Sequence, residues 1–129
     1  MVLDTSAVVA IFLNEPERHL FLARIAAAET RLISAATVVE AGIVLEARLG
    51  EAAAREFELF LHHAQLEIVS VDAAQAEAAR TAWRRYGKGR HPAALNFGDC
   101  FAYALAHVTG QPVLAKGSDF THTGLKLCT

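Results

Sequence analysis

The chain has 129 residues, of which 53% are hydrophobic and 20% are charged, and its formal net charge is −2. This composition excludes a disordered chain, which would be poorer in apolar residues, and it supplies one core for a single domain over residues 1–129. A slightly acidic chain does not bind nucleic acid over its whole surface, so any such contact needs a local basic patch or a bound metal.

The cysteine count and the apolar runs predict where the chain operates. Cys100 and Cys128 form no CxxC pair, and a secreted disulfide framework would need more cysteines. Asp4 interrupts the apolar run at the start of the chain, which disfavours a signal peptide. No stretch of about 20 apolar residues predicts a membrane span. We therefore expect a cytoplasmic protein that is not associated with a membrane.

Short apolar runs alternate along the chain with longer segments of helical periodicity. In chain order, the predicted elements are a strand at 1–3, helices at 5–13 and 16–28, a strand at 31–34, helices at 35–49 and 51–65, a strand at 66–71, a helix that Asp72 caps and that ends at 86, a helix at 96–108, and strands at 112–115 and 125–127. Strands separated by helices predict an α/β fold with a mostly parallel sheet. In such sheets, functional groups lie at the carboxyl ends of the strands.

Three carboxylates stand alone within otherwise apolar segments. Asp4 is the only charged residue in 1–14, Glu40 in 33–45, and Asp99 in 92–115. Burying an unpaired carboxylate costs several kcal/mol or raises its pKa until it is neutral. If folding brings the three together, one divalent cation such as Mg²⁺ neutralises them, because hard cations prefer oxygen ligands. The pattern therefore predicts a shared metal site.

Each acid also has a purely structural interpretation. Asp4 could cap the helix that follows it, and Asp99 could complement the dipole in the first turn of its helix. Glu40 could point to solvent from a mostly apolar helix. Asp119 lies in a polar turn and is the acid that pattern alone favours least. The recurrence of the pattern in three separate segments favours a common site over three independent roles.

Four stretches carry these acids in order: residues 2–7 (VLDTSA), 38–41 (VVEA), 95–106 (LNFGDCFAYALA) and 115–120 (AKGSDF). Together they resemble the PIN-domain family and, within it, the VapC-type toxins of type II toxin–antitoxin systems. The resemblance spans nearly the whole chain, and the third stretch is its most specific part. Related toxins often carry a further acid in a Thr-Asp pair after the fourth stretch, whereas Thr123 is followed here by Gly124.

The resemblance implies a three-layer α/β/α sandwich and an endoribonuclease that depends on Mg²⁺ or Mn²⁺, forms a homodimer and is inhibited by a cognate antitoxin. It implies that the catalytic residues are Asp4, Glu40, Asp99 and Asp119. We expect Asp4 and Asp99 to bind the metal, Glu40 to hold the metal or orient the attacking water, and Asp119 to act through water or at a second metal. Hydrogen bonds that orient these acids are expected from Thr5, Ser6 and Asn96.

Basic residues near the third stretch are candidates for contacts with RNA phosphates. The predicted set is Arg84, Arg85, Lys88, Arg90 and Lys116. The alternative for each of them is an ordinary solvated helix end or loop.

Two other functions remain open at this point. One is a PIN-like module that binds RNA or protein without catalysis. The other is a phosphatase that uses Asp4 as its nucleophile, although such enzymes need a second aspartate two residues later, where Ser6 stands.

Overall fold

The computed structural model describes residues 1–128, and within them a parallel sheet lies at the centre of the fold. Its strands are β1 (Val2–Leu3), β2 (Leu32–Ser34), β3 (Glu67–Val69) and β4 (Val113–Leu114). Their order is β3-β2-β1-β4, and every neighbouring pair is parallel. The predicted parallel α/β sheet is confirmed.

Helices occupy the connections between the strands. They are α1 (Thr5–Phe12), α2 (Arg18–Ala27), α3 (Ala35–Leu49), α4 (Glu51–His63), α5 (Ala73–Tyr86) and α6 (Phe97–Thr109), and a 3₁₀ turn follows at Asp119–His122. Four helices begin where a side-chain oxygen accepts a backbone N–H of the first turn. These capping residues are Asp4, Ser34, Asp72 and Asn96. None of the helices within residues 1–128 has both the length and the apolar character that crossing a membrane requires.

Alternation along the strands divides the interior into two apolar clusters, because successive strand residues point to opposite faces of a sheet. Leu3 and Leu114 belong to the cluster that also contains buried residues of α1 to α4. Val2 and Val113 belong to the other cluster, with buried residues of α5 and α6. The sheet is therefore covered on both faces, which confirms the α/β/α sandwich.

The ends of several elements differ from the sequence prediction. The predicted strand at 66–71 is shortened to β3, because its partner β2 ends at Ser34, which pairs with Val69 and caps α3. The predicted edge strand at 125–127 is reduced to a single bridge between Leu127 and Val113. The helix predicted from residue 16 begins at Arg18. These differences leave the positions of the four acids unchanged.

Candidate active site

Asp4 lies directly after the central strand β1 and is 3% exposed. Its Oδ2 accepts hydrogen bonds from the backbone N–H of Ser6 at 3.0 Å and from the Ser6 hydroxyl at 2.6 Å. Its Oδ1 is buried and accepts no hydrogen bond from any described residue. A buried carboxylate oxygen without a donor is costly unless a cation or a water satisfies it.

The Ser6 hydroxyl also connects α1 to the segment that follows β4. It accepts a hydrogen bond of 2.9 Å from the backbone N–H of Lys116, which follows β4. The backbone N–H of Asp4 donates to the Leu114 carbonyl oxygen at 3.0 Å. The segment that leads to Asp119 is thereby held beside the start of α1.

Glu40 reaches this region from α3, whose start is fixed by the Ser34 cap. The Thr5 hydroxyl donates a hydrogen bond of 2.5 Å to Oε1 of Glu40. The Glu40 carboxylate lies so close to the backbone of Gly98 that a Cβ at that position would come within 3.0 Å of both carboxylate oxygens. The side chain of Glu40 is therefore in direct contact with the first turn of α6.

Asp99 lies in that same first turn of α6 and forms a reciprocal capping box with Asn96. The Asn96 side chain accepts the backbone N–H of Asp99 at 2.9 Å, and Oδ2 of Asp99 accepts the backbone N–H of Asn96 at 3.0 Å. This pair satisfies two N–H groups at the helix start and fixes the direction of the Asp99 side chain.

The electrostatics of Asp99 indicate that the other three acids lie near it. Its pKa is raised to about 7, chiefly by burial and, to a smaller extent, by the negative charges of Asp4, Asp119 and Glu40, while the hydrogen bond from Asn96 acts in the opposite direction. Burial is also the main reason that the pKa of Asp4 is raised, with a smaller contribution from Glu40. Segments that are distant in the sequence thus bring three other carboxylates within electrostatic reach of Asp99.

The donor chemistry of this cluster fits a hard divalent cation. All four side chains offer carboxylate oxygens, and Oδ1 of Asp4 has no other partner among residues 1–128. As they stand, no three Asp, Glu, His or Cys side chains of the described chain are arranged to hold a metal ion. Thr5, Ser6 and Asn96 engage Glu40, Asp4 and Asp99, respectively, through the hydrogen bonds described above. A bound ion would therefore require the carboxylates to change their arrangement.

The predicted phosphate contacts fall into two groups. Exposed side chains at the end of α5 and in the loop after it form the first group, which contains Arg84, Arg85, Lys88 and Arg90. The Arg90 guanidinium lies 4.4 Å above the ring of Trp83. Lys116 is different, because its ammonium forms ion pairs with Glu15 and, at 3.3 Å, with Glu17. Much of the Lys116 charge is thereby compensated within the protein.

Two features of the site were not predicted from the sequence. The packing of Glu40 on Gly98 joins residues far apart in the chain, and the bond from Lys116 to Ser6 involves a backbone N–H that no side-chain pattern reveals. A signal for the first was present, since glycine in the first turn of an otherwise regular helix is unfavourable without a packing reason.

Comparison with known proteins extends these observations. The PIN domain family matches residues 1–126. Ribonuclease VapC30 of Mycobacterium tuberculosis is 53% identical over 125 residues, which are 97% of this chain and 95% of that protein.

Two solved structures are similar in fold. VapC20 of Mycobacterium tuberculosis, described as a Sarcin-Ricin loop cleaving toxin, gives a TM-score of 0.78 at 20% identity, covering 96% of this chain and 95% of that one. A toxin–antitoxin complex from Klebsiella pneumoniae gives a TM-score of 0.73 at 17% identity, covering 95% of this chain and 92% of that one. With the family match over nearly its whole length, the chain belongs to the PIN-domain family.

Proposed function

We propose that this protein is an endoribonuclease that hydrolyses RNA phosphodiester bonds with the help of Mg²⁺ or Mn²⁺, and that it is the toxin of a toxin–antitoxin pair. Its 53% identity to a protein named Ribonuclease VapC30 supports the reaction class. The observation that carries the proposal is the convergence on Asp99 of the charges of Asp4, Asp119 and Glu40. Carboxylates that are close together repel one another, and a bound cation relieves that repulsion. The cluster therefore favours the binding of a divalent cation.

Asp4 and Asp99 are the residues that we propose as metal ligands. At these residues a divalent ion would supply Lewis-acid chemistry, which would activate water and stabilise the leaving oxygen of the phosphodiester. Asp4 contributes its unpartnered Oδ1, while Ser6 engages Oδ2. Asn96 holds Asp99 at the start of α6.

Glu40 and Asp119 have more peripheral roles in this proposal. The Thr5 hydroxyl holds Oε1 of Glu40, which leaves Oε2 to hold the metal or to orient the attacking water. Asp119 is exposed in the 3₁₀ turn after β4, from which it acts through water or at a second ion.

RNA contacts are proposed for the exposed basic residues of α5 and of the loop that follows it. Arg84, Arg85, Lys88 and Arg90 form no ion pair with any residue of the described chain, so their charges are available for phosphates. These four basic residues form a local positive patch on a chain whose net charge is −2. We expect the RNA backbone to contact this patch where it approaches α6. Lys116 contributes less, because Glu15 and Glu17 already engage it.

We propose a homodimer that uses exposed apolar side chains beside the acidic site. Val39 and Ile43 lie one turn apart on α3 and are 62% and 63% exposed, and Phe97 at the start of α6 is 80% exposed. Two exposed apolar side chains on one helix face, as Val39 and Ile43 are, are typical of a protein interface. Sedimentation velocity of Ile43→Lys checks this: the variant is expected to be monomeric, and an unchanged dimer contradicts the assignment.

The likeness in fold to a chain of a toxin–antitoxin complex supports a cognate antitoxin as the protein partner. We expect the toxin to act in the cytoplasm, where RNA is available. The check is whether the protein purified from its host carries a partner whose removal restores RNA cleavage. Cleavage that does not change on removal of every bound partner contradicts inhibition by an antitoxin.

The proposed activity is tested by Asp99→Asn, which keeps the size of the side chain and removes its charge. Cleavage of RNA with Mn²⁺ is expected to fall by roughly a hundredfold, because the ion loses an anionic ligand and would then stabilise the charge at the reacting phosphate less well. Asp72→Asn is the matched control, because Asp72 also caps a helix but lies at the start of α5. Undiminished cleavage by Asp99→Asn contradicts the proposal.

A further inference from the structure

We infer that Gly98 is a positioning residue for the acidic site: because it has no side chain, it leaves the space that the carboxylate of Glu40 occupies beside Asp99. The inference rests on the proposed function for its connection to catalysis. Gly98 is buried and is the second residue of α6, next to Asp99 in the chain. A Cβ at this position would come closer than 3.0 Å to both carboxylate oxygens of Glu40.

Backbone conformation does not explain the glycine. Gly98 has the ordinary helical conformation of α6, which every L-residue adopts, and it lies outside the left-handed region occupied by Gly110 with φ of 72°. Alanine is a better helix former than glycine, so helix stability alone would favour alanine here. The close approach of Glu40 is the remaining reason, and it concerns the acidic site and not the fold.

The atoms that a Cβ would displace belong to a side chain and not to the backbone. All three of the nearest atoms are in the Glu40 carboxyl group, at the end of a flexible chain. Gly98→Ala therefore moves the Glu40 carboxylate and leaves α3 and α6 in place. The moved carboxylate loses its hydrogen bond from the Thr5 hydroxyl, which normally holds it at 2.5 Å.

Gly42 provides a matched control on the helix that carries Glu40. It also lies within a helix, but a Cβ there would meet only ring atoms of Phe57 at 4.0 Å, an ordinary contact. Gly42→Ala and Gly98→Ala thus make the same chemical change in two helices, and only the second displaces Glu40.

The experiment measures Mn²⁺ affinity by calorimetry, thermal unfolding in a chelator, and RNA cleavage. Gly98→Ala is expected to unfold cooperatively at an unchanged or higher temperature, to bind Mn²⁺ roughly tenfold more weakly and to cleave RNA roughly tenfold more slowly. Gly42→Ala is expected to match the parent protein in metal affinity and in cleavage. Parental metal affinity and cleavage in Gly98→Ala overturn the inference, and so does a loss of cooperative unfolding, since only a flexible side chain has to move.

A double variant separates displacement of Glu40 from other effects of the added methyl group. Glu40→Asp shortens the side chain by one methylene and withdraws its carboxylate from Gly98. Gly98→Ala is therefore expected to cost little in a Glu40→Asp background, so the two effects are not additive. Additive losses overturn the inference. If Asp99→Asn cleaves normally, the proposed function fails; if Asp99→Asn is inactive but Gly98→Ala is normal, only this inference fails.

Discussion

The Ser6 hydroxyl donates a hydrogen bond of 2.6 Å to Oδ2 of Asp4, and it accepts one of 2.9 Å from the backbone of Lys116. One hydroxyl therefore orients the most buried acid of the site and attaches the segment that leads to Asp119. The bond from Ser6 also favours the ionised form of Asp4, against the burial that raises its pKa. The Ser6 side chain thus affects both the protonation and the assembly of the site.

Ser6→Ala is expected to shift the acid limb of the pH–rate profile for RNA cleavage to higher pH. The reason is that the pKa of Asp4 rises further when the lowering effect of the hydroxyl is removed. Unfolding free energy is expected to fall by about 1 kcal/mol, because the Lys116 N–H loses its acceptor. Ser70→Ala, in the segment between β3 and α5, is the control. An acid limb that stays in place contradicts the assigned role.

The metal-free protein is expected to lose stability as pH rises from about 4 to about 7. Folding raises the pKa of Asp99 from 3.8 to about 7, so the native state binds a proton in this window that the unfolded chain has released. Stability decreases with pH wherever the native state binds more protons. Asp99→Asn removes this contribution, so its unfolding temperature in a chelator is expected to exceed that of the parent by more at pH 8 than at pH 4.

Addition of Mn²⁺ provides the control for this pH dependence. In the proposed site the ion would bind the ionised carboxylates of the folded state, so its stabilising effect on the parent protein is expected to increase with pH. In Asp99→Asn, the gain from Mn²⁺ is expected to be small. Equal pH dependence of unfolding in the parent and in Asp99→Asn, measured by calorimetry in a chelator, contradicts the prediction.

Arg90→Gln is expected to weaken binding to all RNA sequences alike. A contact with a phosphate carries no sequence information, and its loss lowers the slope of log affinity against log salt by about one. Binding is measured in a chelator so that the RNA stays intact. Arg55→Gln removes an exposed arginine of α4 and is expected to leave the slope unchanged. A slope that Arg90→Gln does not alter removes Arg90 from the RNA-binding surface.

The sequence predicted best the elements whose ends are marked by residues within the element or next to it. The bounds predicted for α3 agree with the structure at both ends, because Ser34 caps its start and Gly50 follows its last residue. Asp72 begins α5 for the same local reason. Charge patterning alone brought Asp4, Glu40 and Asp99 together as candidates, since a lone acid in an apolar segment has few favourable positions in a fold.

What sequence could not predict depends on contacts between distant segments. The end of β3 is determined by the end of its neighbour β2, and strand pairing of that kind is not visible in either segment alone. A hydrogen bond from Asn96 to the acids was predicted, but its reciprocal form with Asp99 was not, because this capping box uses Asp at the position where glutamate or glutamine is usual. The compensation of Lys116 by Glu15 and Glu17 likewise follows from the tertiary structure.

The four acids stand at positions 4, 40, 99 and 119 of the chain. The first lies directly after β1, and the last lies beyond β4. During translation, a nascent chain therefore has no complete cluster until the segment after β4 has left the ribosome and β4 has docked beside β1. Fragments released by premature termination before β4 therefore lack a complete acidic centre.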